Sequence, residues 1–156
     1  MLRSLLFLVI ASFLTACGST SNGPSFTQSN LTNDGTSIVY IYRLDLGYFN
    51  QNAVDLNVFL DGNLISELPK NGYIPVKLSA GSHLISFSFY GSTPISTERI
   101  EVEPNKKYYL KLNDLRDQGA IVTKTLNQVS LVNSDVGISE IASTKLVSGF
   151  NSSVIY

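Results

Sequence analysis

The chain has 156 residues, with 11 Lys and Arg against 12 Asp and Glu, one His, one Cys and no Trp. Its length suits one ordinary domain; 44% hydrophobic residues exclude disorder throughout, and a net charge of −1 gives no overall electrostatic footprint for nucleic acid. One Cys excludes an internal disulfide framework and a multi-Cys zinc site, and with a single His most metal and nucleophile–base chemistries lack their parts, so neither a cofactor nor a metal is expected.

Residues 1–16 open with Arg3 beside the amino terminus and continue as Leu5–Leu14, mostly apolar and free of charge. A bilayer-spanning helix needs about 20 apolar residues. This stretch is too short to span and suits the apolar core of a secretory signal peptide. It ends in Leu14-Thr15-Ala16-Cys17, with small residues before the only Cys. That string resembles the lipobox of bacterial lipoproteins. The resemblance implies a diacylglycerol on the Cys17 thiol, cleavage before Cys17 and acylation of the new amine, with palmitate-type chains as the anchor. Gly18 and Ser19 follow with no Asp, which by enterobacterial sorting rules favours the outer membrane, facing the periplasm.

Residues 17–36 hold only Phe26 and Leu31 as large apolar side chains among Ser, Thr, Asn and Gly. Such a stretch buries too little to offset its ordering entropy. The expectation is a flexible tether reaching about 24 Å root-mean-square, with an ordered edge segment using Phe26 and Leu31 as the alternative.

From Ser37 the pattern is that of strands. Ser37–Arg43 is apolar on both faces, as a central strand should be. Val54–Leu60 alternates, with Val54, Leu56, Val58 and Leu60 on one face, and Leu64–Leu68 resumes after Asp61-Gly62-Asn63, a hairpin signal. Tyr73–Leu78 places Ile74, Val76 and Leu78 inward and Lys77 outward, and Pro75 points to an edge strand. Ser82–Tyr90 follows the turn at Ala80-Gly81, and Thr97–Glu103 buries Ile100 and Val102. Lys107–Asn113 turns Tyr108, Leu110 and Leu112 inward, and Ala120–Val132 is a less regular last strand. One helix fits near the end, capped by Ser134 or Asp135, with Ile138, Ile141, Ala142 and Leu146 on one face and Gly149 closing it. Seven or eight short strands with Gly, Pro and Asn punctuation, and a single helix, argue an antiparallel β-sandwich over 37–150.

Val39-Tyr40-Ile41-Tyr42-Arg43, Val58-Phe59-Leu60-Asp61-Gly62, Asn71-Gly72-Tyr73 and Leu78-Ser79-Ala80-Gly81-Ser82-His83 together resemble the bacterial lipoprotein domain known as domain of unknown function 2846, over Ser37 to Leu146. The resemblance implies a β-sandwich envelope lipoprotein and brings no activity with it. The Asp-Gly hairpin and following Gly turn are also similar to PEGA-type sandwiches, whose Pro-Glu-Gly-Ala signature is absent here.

Chemistry-bearing residues are few. His83 shares a strand face with Ile85, Phe87 and Phe89 and reads as a satisfied, half-buried residue. Glu101 and Glu103 share a face in the manner of an acid/base pair, but Arg99 and Lys106 beside them indicate a solvated surface. Asp114, Arg116 and Asp117 read as loop charges. Arg43 ends an otherwise apolar strand and is the candidate ligand contact, against the plainer reading of a packed stem with its head in water. The favoured function is a non-enzymatic binding or structural module, anchored to a membrane through lipid on Cys17 and meeting an envelope protein rather than nucleic acid. A hydrolase or other enzyme with an unrecognised site is the alternative class.

Overall fold

A computed structural model of the chain describes residues 21–45, 54–89, 93–116, 125–153 and 156. The segment expected to be a signal peptide, Cys17, Asp117 and the start of the strand expected at Ala120 lie outside the described residues. Among these, the chain forms strands β1 (Ser37–Arg43), β2 (Leu56–Leu60), β3 (Asn63–Leu68), β4 (Gly72–Leu78), β5 (Gly81–Ser88), β6 (Ser96–Val102), β7 (Lys107–Arg116) and β8 (Thr125–Val132), then helix α1 (Ser134–Ile141) and β9 (Lys145–Leu146). They make a five-stranded sheet, β8-β7-β1-β4-β9, facing a four-stranded sheet, β3-β2-β5-β6. This is a mainly β sandwich with one short helix.

Alternation builds the layer between the sheets. Val39 and Ile41 of β1, Ile74, Val76 and Leu78 of β4, and Leu110 and Leu112 of β7 meet Leu56, Val58, Leu60, Ile85, Phe87, Ile100 and Val102 of the other sheet. Val54, expected on that inward face, precedes β2 and is 39% exposed. The β2–β3 hairpin turns at Asp61 and Gly62, with φ of 49° and 83°, the pair of positive values that a tight hairpin matching strand twist requires.

The second sheet is antiparallel throughout, as are β1–β4 and β7–β8. The purely antiparallel expectation needs correction at two places: β1 pairs parallel with β7, and β4 pairs parallel with β9. Parallel neighbours need a long crossover. For β1 and β7 the intervening β2–β6 supply it, since the chain builds all four strands of the facing sheet, and β4 of its own, before returning. For β4 and β9 it is longer, β5–β8 followed by α1, and α1 carries the chain over the outer face from β8 at one edge to β9 at the other.

The edge-strand expectation for Tyr73–Leu78 also needs correction, since β4 lies between β1 and β9, yet Pro75 is tolerated there for a reason close to the one expected. Tyr73 and Lys77 accept bonds from Val147 and Tyr156 on the outer side of β4, so the missing Pro75 N–H faces that side too, where β9 pairs only with Gly72 and Tyr73. The helix differs from expectation at both ends. Asn133 is the cap, its side chain accepting from the Val136 amide at 3.0 Å. The helix stops at Ile141, so Leu146 lies in β9, and Ile138 is 39% exposed. Asp114 and Arg116 extend β7 rather than lying in a loop.

Residues 21–36 also depart from the tether expectation. Phe26 and Leu31 pack against the outer face of the five-stranded sheet. Gly23 donates to Leu146 O and Leu146 to Pro24 O. At the turn into β1, the Thr36 and Thr32 hydroxyls hold the Asp34 carboxyl down at about 2. Two apolar side chains suffice because the sheet offers aromatic rings and hydroxyls to this otherwise polar segment.

Candidate functional site

The outer face of the five-stranded sheet is where side chains of different elements converge. Tyr40 and Tyr42 of β1, Tyr73 of β4 and Tyr109 of β7 cluster there with Ile38 and Ile141. The Tyr40 and Tyr109 rings stack at 5.3 Å, and Phe26 stands edge-on to Tyr40 at 5.2 Å and to Tyr73 at 5.4 Å. Such pairs add roughly 0.5–1.5 kcal/mol each beyond area burial. The Ser29 amide donates to Tyr40 Oη at 2.8 Å and Gln28 Nε2 to Tyr109 Oη at 2.7 Å. The apolar rings are thereby roofed by the N-terminal segment, and their hydroxyls are satisfied.

Beside this cluster, Glu140 of α1 accepts from Tyr42 Oη at 2.7 Å and from Lys111 Nζ. Lys111 and Glu140 side chains are 18% and 26% exposed. Burial raises the Glu140 carboxyl, but the bonds from Lys111 and Tyr42 outweigh it and bring it below the ordinary value of 4.5. Burial first, and then Glu140, pushes the Tyr42 phenol far above its usual range. The depressed Glu140 value contributes stability that is complete above the ordinary glutamate pKa and lost as pH falls through the folded one. The acid limb of a stability–pH curve should therefore flatten in Glu140→Gln, with a loss of about 1–2 kcal/mol at neutral pH. Parallel curves for the two proteins would show that the bonds do not set this titration. No motif spacing announces this triad; its only trace in the sequence is a Tyr and a Lys at outward positions of predicted strands.

The residues singled out from the sequence are not brought together. His83 is 9% exposed; its Nδ1 lies 2.8 Å from Asp61 Oδ2 and its Nε2 3.1 Å from Ser79 O. It fastens two turns at one end of the sandwich, a satisfied residue as read. Burial raises the Asp61 carboxyl, yet the Leu84 amide and His83 together hold it below its usual value. Glu103 pairs with Lys106 at 2.6 Å on open surface, and Glu101 is exposed.

Arg43 departs from both readings of its head group. It is 2% exposed, at the opposite end of the sandwich from His83, and its Nη1 donates to Val54 O at 2.9 Å and Leu68 O at 3.4 Å. The reason is parity: position 43 follows 39 and 41 on the face between the sheets. Its head is therefore buried between the sheets, bonded to those two carbonyls, rather than standing in water.

A cavity of about 220 Å³ lies on the outer face between Ser29–Asn30, Pro75–Lys77 and Ser152–Ser153, smaller than the roughly 300–1,000 Å³ of small-molecule sites. Among the described residues no group of His, Cys, Asp and Glu is arranged to hold a metal, and no helix is long and apolar enough to cross a membrane. In comparison with known proteins, neither a family model nor a curated protein matches the chain. The resemblance to domain of unknown function 2846 thus stands on the quoted strand and turn residues alone.

Proposed function

We propose that this is a lipid-anchored protein of the bacterial cell envelope, held through acyl chains on Cys17, whose sandwich is a non-enzymatic binding or structural module for another envelope component. The observation that carries the reading is Leu14-Thr15-Ala16-Cys17 directly behind a charge-free apolar stretch. Each buried CH₂ contributes about 0.8 kcal/mol, and two or more chains hold stably where one does not, so acylated Cys17 anchors without a spanning helix. Gly18 and Ser19 after the Cys favour the outer membrane on its periplasmic side. The engagement of His83, Arg43 and Glu140 within the fold supports a module that holds its shape rather than one that turns over substrate.

Growth of cells with an acyl-chain probe tests this. Wild-type protein is expected to take label and sediment with membranes, and Cys17→Ala to lose the label. Equal labelling of the two would end the proposal.

A further inference from the structure

We infer that the domain is held close against the lipid surface by the end that carries Ser21, Lys70 and Lys145, and presents its opposite end, with the Asp61–Gly62 hairpin, outward. This inference deepens the anchoring proposal and rests on it. It comes from where the N-terminal segment becomes fixed. Ser21 Oγ donates to Lys70 O at 3.0 Å, Gly23 bonds Leu146, Ser25 bridges to Lys145, and Lys145 Nζ donates to Ser25 Oγ at 2.6 Å. Four peptide steps separate Cys17 from Ser21, and covalent geometry limits them to about 14 Å. A segment free to residue 36 would let the domain wander in any orientation; one fixed from residue 21 lets only one end approach the bilayer.

Strand register identifies that end. Arg43 pairs with Gly72, and Gly72 with Lys145, so the Pro69–Asn71 turn, the end of β1 and the start of β9 share it. Ser37 pairs with Leu78 and Gly81 with Val102 at the other end. There the hairpin of Asp61, the Ser79–Gly81 turn and the Glu103–Lys106 turn gather. At the anchored end, Lys145 stands beside Ser25, on the segment that leads back to Ser21, and places a cation where anionic headgroups would lie.

Energy transfer to a headgroup acceptor tests the geometry in the full-length protein made in bacteria. Acylation consumes the Cys17 thiol, so dyes can be placed singly through Lys70→Cys and Glu101→Cys. The protein is then reconstituted in phosphatidylcholine–phosphatidylglycerol vesicles. Glu101 lies roughly 20 Å farther along the strand direction, at ~3.3 Å per residue, and transfer from position 70 should be at least about twofold stronger. Adding Phe26→Ser, which removes the ring seated on Tyr40 and Tyr73, should narrow the difference. Flotation with the vesicles but equal or reversed transfer overturns the inference alone. An unchanged difference in Phe26→Ser overturns the role of the fixed segment. Failure to float overturns the anchor and the inference together.

Discussion

Arg43→Ala is expected to lower the unfolding free energy by about 3–5 kcal/mol, from two carbonyls that lose a buried donor and from the void left by the side chain. Arg43 is 2% exposed, and its guanidinium closes the end of the sandwich by donating to Val54 O and Leu68 O. Truncation leaves those carbonyls without that donor, at about 1–3 kcal/mol for each left unsatisfied, and opens a void whose walls relax only in part. Asp55 adds a pH signature. Burial raises its carboxyl, and Arg43 is the charge that counters this. An acid whose folded pKa is raised loses stability as pH climbs through it. Without Arg43 that rise grows, so the Arg43→Ala loss should be larger at neutral pH than once the pH falls below the raised Asp55 pKa. Arg43→Lys keeps the charge but not the planar fork and should restore only part of the loss. Urea unfolding at two pH values reads all three. A loss below about 0.5 kcal/mol, the level of an ordinary surface change, would show the fold does not need the guanidinium and return Arg43 to the role of a ligand contact.

The sequence was most informative where the cause of structure is local. Asp61-Gly62 forms its hairpin because two adjacent positive φ values suit those residues and few others. The Ile74, Val76 and Leu78 alternation against Lys77 sorts β4 without reference to a partner. The two-sided apolar character of β1 reports its central place correctly, since Tyr40 and Tyr42 are covered by α1 and the N-terminal segment while Val39 and Ile41 face the other sheet. What stayed hidden depends on distant partners. The parallel pairing of β1 with β7 joins residues such as Ile38 and Lys107, and no periodicity encodes that choice. Composition marked residues 21–36 as too polar to order, because it cannot register that Tyr40 and Tyr109 supply both ring faces and hydroxyl acceptors. The burial of Arg43 was missed for a related reason: charge at a strand end suggests solvent, whereas position parity put it between the sheets. The proposed lipidation of Cys17 is the reverse case, resting wholly on the sequence around it.

Gly137→Ala is expected to destabilise the protein by about 3 kcal/mol, the upper range for overpacking, although Ala is the better helix former by roughly 1 kcal/mol. A Cβ at position 137 would lie 2.3 Å from Tyr109 Cγ and 2.4 Å from Tyr109 Cβ. These are the atoms nearest the β7 backbone rather than the far end of a pliable side chain. The ring has little freedom to yield: it is 1% exposed, stacked on Tyr40, and bonded through its hydroxyl to Gln28. The helix must move off the sheet instead, drawing Glu140 away from Tyr42 and Lys111. Gly137 thus sets how closely α1 seats, and the periodicity of the larger apolar residues could not reveal this. Ser139→Ala, at an exposed position of the same helix, is the control and should be neutral or stabilising by a few tenths of a kcal/mol. Urea midpoints for the two variants should therefore move in opposite directions or differ sharply. A Gly137→Ala protein as stable as Ser139→Ala would mean that α1 does not rest on Tyr109, and the roof over the tyrosine cluster would need a different construction.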